Sequence, residues 1–116
     1  MALLFADVLQ EFYAKRKTGA LFVVDQCADH MVRFYFDGGE ITSMSLGPLK
    51  GKECLDRLER CDFGTALFFT GLKPPSVVDN DLPFTSSVIE TFKSTGKTVR
   101  GIQFTERGKA AGDGIG

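Results

Sequence analysis

Phe34-Tyr35-Phe36-Asp37-Gly38-Gly39-Glu40-Ile41 decides the fold. An alternating apolar run meets Asp-Gly-Gly, and a second alternating run follows. A type I′ turn needs φ > 0 at both central residues, which Gly, Asn and Asp adopt at least cost. The stretch therefore reads as strand, two-residue turn, strand. Upstream of the turn, Val32, Phe34 and Phe36 fall on one face of residues 30–36, with Met31, Arg33 and Tyr35 on the other. Downstream, strict alternation over 40–46 puts Ile41, Ser43 and Ser45 opposite Thr42, Met44 and Leu46.

Working outward, residues 20–26 are β-branched and aromatic, so a strand. Their apolar side chains occupy both faces, which predicts a central strand buried on both sides. Before it, Leu4, Phe5, Val8, Leu9, Phe12 and Tyr13 make one apolar stripe of a helix. Lys15, Arg16 and Lys17 are expected in its last turn, against the negative end of the macrodipole, and Thr18-Gly19 to stop it. After the hairpin, Gly47-Pro48-Leu49-Lys50-Gly51 leads into a helix over 52–60, with Cys54, Leu55 and Leu58 inward. A fourth strand follows over 65–70, which gives the order α-β-β-β-α-β.

Pro74-Pro75 breaks regular structure. Ser87-Val88-Ile89-Glu90 fits a capping box for a third helix that docks Val88, Ile89 and Phe92 and ends at Gly96. Residues 99–105 read as a fifth strand or extended chain. Five of the 13 glycines lie beyond residue 100, so 107–116 reads as a flexible tail. The expected fold is α+β: an antiparallel sheet of four to five strands with helices packed on it. Its expected parts are a core over 1–71, an extension over 72–106 whose helix packs on that core, and the tail.

The chain has 116 residues, 43% apolar and 25% charged, enough for one core. With 14 basic and 15 acidic residues the net charge is −1, which gives no basic excess for nucleic acid or a membrane surface. No apolar run approaches the ~18 residues that span a bilayer. The first residues lack the basic start of a signal peptide. Three cysteines, Cys27, Cys54 and Cys61, with no export signal point to reduced thiols in a cytoplasm.

The chemical candidates are weak. Cys27, His30, Cys54 and Cys61 have the number but not the spacing of a zinc set. On one helix Cys54 and Cys61 would stand ~10 Å apart at 1.5 Å per residue. A Cys27–His30 dyad has only nearness in sequence to support it. Gly47-Pro48-Leu49-Lys50-Gly51-Lys52-Glu53 has the outline of a phosphate loop. It is one residue short between its glycines and carries Glu53 where Ser or Thr must meet Mg²⁺. Asp79 and Asp81, and Glu53, Asp56 and Glu59, lack the company of tuned acid–base groups. No catalytic residue, metal ligand or cofactor is therefore expected.

Four motifs, in order, resemble the bacterial PATAN family of signalling-associated domains of unknown function. Lys17-Thr18-Gly19-Ala20-Leu21 is similar to its helix-to-strand junction, and Phe34 to Ile41 to its hairpin. Gly47 and Gly51-Lys52-Glu53-Cys54-Leu55 are similar to the start of its second helix, and Phe63-Gly64-Thr65-Ala66-Leu67-Phe68 to its fourth strand. Cys54 stands where the family usually has Ala, and no Trp precedes Gly64. The resemblance covers about residues 4–71. It implies a bacterial signalling accessory domain, without established enzymatic activity, that makes protein–protein contacts, including in control of surface motility.

The expected function is thus a non-enzymatic interaction or adaptor module, with another bacterial signalling protein as its partner in trans. A homodimer through an uncovered sheet edge is a second expected association. The expected docking residues are Lys15, Arg16 and Lys17, the tip residues Asp37, Gly38, Gly39 and Glu40, and Lys50 and Lys52. The alternative is a small-ligand sensor with an anion or nucleotide at the loop 47–52, where a helix N-terminus attracts negative charge.

Overall fold

The computed structural model describes residues 3–25, 30–58, 62–73, 82 and 84–106. The loop at Cys27, together with Cys61, Glu59, Asp79, Asp81 and the tail 107–116, lies outside the described residues. In chain order the elements are β1 (Leu3–Leu4), α1 (Phe5–Ala14), β2 (Gly19–Asp25), β3 (His30–Asp37), β4 (Glu40–Leu46) and β5 (Leu49–Lys50). Then come α2 (Gly51–Leu58), β6 (Phe63–Thr70), α3 (Thr85–Thr95), β7 (Thr98–Val99) and β8 (Ile102–Glu106).

The architecture is α+β. Six strands form one sheet in the order β5-β4-β3-β2-β6-β8, and β1 pairs with β7 in a separate ribbon. This exceeds the expected four to five strands, and the sheet is not wholly antiparallel, because β8 runs parallel to β6. A parallel neighbour requires a crossover connection, and α3 lies within it.

β2 is central, as its composition predicts. Leu21 pairs with Phe34 on one side and Phe68 on the other, and Val23 with Val32 and Ala66. All six side chains are fully buried. Phe5, Leu9 and Phe12 of α1, Cys54 and Leu58 of α2, and Val88 and Phe92 of α3 complete one continuous core with them. The Phe5 ring lies 4.9 Å from both Phe63 and Phe92 and 5.3 Å from Phe34. Phe12 stacks toward Phe36 and Phe68 in the same way.

The other face of β2 departs from the expectation of two-sided burial. Ala20 is buried, but Phe22 is half-buried and Val24 is 40% exposed. The helices that build the core pack on the face of Leu21 and Val23; the face of Phe22 and Val24 belongs to no part of that core.

Strict alternation along β4 also fails. Tyr35 pairs with Ser43, but Phe36 pairs with Ile41, so Thr42 is an extra residue in a β-bulge. The bulge turns Ile41 to the same face as Met44 and Leu46, and all three are buried. The Thr42 hydroxyl donates to the Tyr35 carbonyl at 3.3 Å, which ties the bulge to its partner strand.

Two helix ends differ from their sequence signals. α1 stops at Ala14, so Lys15, Arg16 and Lys17 lie beyond its last turn; Lys15 is the C-cap and Arg16 is left-handed at φ 53°. Gly19 is already strand. The early stop follows from the hairpin tip, which backs onto Tyr13 and Arg16. α3 starts at Thr85, so Ser87 is inside the helix and no capping box forms; the N-cap is Phe84, without a side-chain cap. Its C-terminus is as expected, with Gly96 left-handed and its N–H donating to the Phe92 carbonyl. α2 starts one residue earlier than expected, at Gly51. Among the described residues no helix is long and apolar enough to cross a membrane.

Candidate interaction surfaces

The three cations after α1 are adjacent in sequence and separate in surroundings. The Lys15 ammonium lies 2.7 Å from a Glu11 carboxylate oxygen. Both groups are exposed, so the pair contributes little to stability. Arg16 lines a cleft of about 440 Å³ with Tyr13, Ala14, Gly38 and Glu40. The Lys17 ammonium sits 5.7 Å above the Phe104 ring, on β8. The three cations thus meet different groups: Glu11, the hairpin cleft and Phe104.

At the hairpin tip, Gly38 and Gly39 have φ of 60° and 92°, the positive pair that a type I′ turn needs. Asp37, Gly38 and Glu40 are exposed, and Gly39 is buried. The tip is fastened on three sides. Gly39 N–H donates to the Lys17 carbonyl at 2.8 Å, and Gly38 N–H to the Thr18 hydroxyl oxygen at 2.9 Å. The Thr85 hydroxyl of α3 accepts from Ile41 N–H at 2.9 Å and donates to the Glu40 carboxylate at 2.8 Å. Asp37 takes part in none of these bonds and is exposed.

The loop 47–52 is a second hairpin. Leu46 pairs with Leu49 and Ser45 with Lys50, across the turn residues Gly47-Pro48. Lys50 and Lys52 are exposed, and Gly51 is buried. The neighbouring shallow cleft, about 360 Å³, is lined by Leu49, Glu53, Asp56 and Arg57. Two carboxylates against one guanidinium make it a poor place for an anion. Cys54 is fully buried in the core. Among the described residues no three His, Cys, Asp or Glu side chains stand close enough to hold a metal ion.

Two surfaces were not singled out by sequence. The first is the sheet face opposite the helices. Phe22 lies between Phe69, at 5.2 Å, and Tyr35, at 6.2 Å, with the Arg33 guanidinium 5.5 Å over its ring. Val24 and Met31 are register partners and both are exposed. The alternation of Phe22 and Val24 with Leu21 and Val23 is the signal, but composition alone makes both faces look like core.

The second lies between α1 and β8. Leu3, Leu4 and Phe104 are 44%, 47% and 59% exposed and, with Val8 and Ile102, line a groove of about 390 Å³. Asp7 and Glu11 of α1 stand at its rim. Its sequence signal is the unmatched Leu3-Leu4 and Phe104, which lie 100 residues apart in the chain and meet only through the β1–β7 and β6–β8 pairings.

Comparison with protein-family models, with curated proteins and with solved structures finds no match.

Proposed function

We propose that this chain is a non-enzymatic protein–protein interaction module of bacterial signal transduction, acting on another signalling protein in trans. The observation that carries the proposal is the sheet face opposite the helices, where among the described residues Val24 and Met31 are exposed and Phe22 and Phe69 half-buried. Exposed apolar side chains grouped on one sheet face mark a surface that a partner covers. The polar side chains at the hairpin, Thr18, Glu40 and Thr85, are engaged in holding the scaffold. The motifs that resemble the PATAN family fall at the α1–β2 junction, the β3–β4 hairpin, the start of α2 and β6, and on that resemblance we rest a role in two-component or motility control. A cytoplasmic location belongs to the same proposal. An anion or nucleotide sensor at 47–52 is the weaker reading, because Glu53 and Asp56 line the adjoining cleft.

The test pairs the purified chain with receiver-domain proteins and GTPase regulators of its source bacterium in titration calorimetry, followed by amide NMR mapping of any binder. Val24→Glu and Met31→Glu change exposed positions and leave the core intact. Binding that both variants abolish, with shifts confined to β2, β3 and β6, is the expected result. Binding to none of these proteins, or binding indifferent to both variants, overturns the proposal.

A further inference from the structure

The two edges of the six-stranded sheet are built differently. Edge strand β5 has two residues, follows Pro48 and carries Lys50. Short length, proline and lysine are the standard devices that keep an edge from pairing. The opposite edge, β8, is five residues long, and its Ile102-Gln103-Phe104-Thr105 run has neither proline nor lysine nor a register shift against β6. Among the described residues no strand pairs with its outer side.

The ladder says which groups that edge offers. Ala66 N–H donates to the Gly101 carbonyl, and Ala66 is in register with Ile102. In a parallel ladder alternate residues address the same neighbour. Residues 101, 103 and 105 therefore bond to β6, and the N–H and C=O groups of Ile102 and Phe104 point outward. The groove between α1 and β8 lies beside those groups and is apolar at Leu3, Leu4, Val8 and Phe104. Its charged lining residues are Asp7 and Glu11; Glu11 is already paired with Lys15, and Lys17 stands over the Phe104 ring, so Asp7 is the carboxylate that the groove offers.

We infer that β8 receives an extended segment of a partner protein as a seventh strand, with an apolar side chain in the α1–β8 groove and lysine or arginine opposite Asp7. Main-chain hydrogen bonds supply the affinity in such strand addition, and the pocket and charges supply the selectivity. A second copy of this chain fits less well: a two-fold pairing of β8 with itself sets the two α1 helices on one side of the joined sheet, each with the same carboxylates. The site is separate from the sheet face of Phe22 and Val24 and stands or falls without it.

The test uses the full chain, labelled for amide NMR, and a synthetic peptide of about eight residues alternating valine with lysine. Controls are the same peptide with glutamate for lysine, and one N-methylated at alternate residues. Shifts at Leu3, Leu4, Val8 and Ile102–Glu106, with slowed exchange of the Phe104 amide, are expected for the lysine peptide. Methylation of the peptide, or Phe104→Thr in the protein, weakens binding by about tenfold or more. Asp7→Lys reverses the preference toward the glutamate peptide. No shift at β8 with the lysine peptide, equal binding of both charge types, or undiminished binding of the methylated peptide overturns the inference. So does a concentration-dependent dimer that Phe104→Thr makes monomeric, since the occupant would then be a second copy.

Discussion

Gly38 and Gly39 are neighbours with nearly the same conformation and different obligations. A Cβ on Gly38 meets nothing within 4 Å, whereas one on Gly39 lies 2.7 Å from the Tyr13 carbonyl oxygen and 3.1 Å from the Arg16 Cα. Both neighbours are backbone and cannot swing aside. Gly38→Ala is expected to cost about 1 kcal/mol, the strain of a left-handed alanine. Gly39→Ala adds the steric conflict and is expected to cost about 3 kcal/mol. Urea unfolding midpoints of the two variants check the difference. The Asp-Gly-Gly run makes the turn readable, since it needs only local conformation. It does not distinguish the two glycines, because Tyr13 and Arg16 are distant in sequence. The candidate docking residues fared alike: Lys15, Arg16 and Lys17 are contiguous in the chain, and they meet Glu11, the hairpin cleft and Phe104.

Elements are legible where one period dominates. The inward set of α2 follows from spacing alone, and of the α1 stripe Phe5, Val8, Leu9 and Phe12 are buried, whereas Leu4 precedes the helix and it and Tyr13 are exposed. β4 is the counter-example. Ile-Thr-Ser-Met-Ser-Leu carries two competing alternations, and only the fit of Ile41 beside Met44 and Leu46 in the core selects the bulge at Thr42. The start of α3 was hidden for a related reason. Thr85 does not cap its own helix; its hydroxyl serves Ile41 N–H of β4, 44 positions away. Thr85→Val removes that acceptor and leaves a buried N–H without a partner, at an expected cost of about 1–3 kcal/mol. Hydrogen exchange at the Ile41 amide should accelerate with it, and Thr85→Ser, which keeps the hydroxyl, should restore the slow rate.

At the scale of the whole molecule, α3, β7 and β8 are bound into the elements that precede Gly71. β7 pairs with β1, β8 with β6, and Val88, Ile89 and Phe92 share the core with Phe5 and Phe34. A chain cut after Gly71 loses Phe92 from beside Phe5 and bares the outer side of β6. The truncated chain is expected to bind an apolar dye and unfold without a sharp transition, whereas residues 1–106 should melt in one cooperative step by calorimetry. The parallel β6–β8 pairing is the part of the topology that sequence did not reveal, because residues 99–105 are too short and plain to declare a neighbour. The two apolar surfaces share that origin, being products of strand order and not of any motif.

The fastening of the hairpin tip bears on how the molecule tolerates change in length. Lys17 and Thr18 accept bonds from Gly39 and Gly38, and the Thr18 carbonyl also accepts from Gly71 N–H at the end of β6. One dipeptide thus joins the end of α1, the tip of one hairpin and the residue that follows a third strand. A solvent-facing glycine turn is ordinarily where a peptide tag or reporter is spliced into a domain. Here such a splice would unpick the junction of three elements. The Gly47-Pro48 turn, whose two residues are exposed and lead only into the two-residue β5, is the better site for an insert.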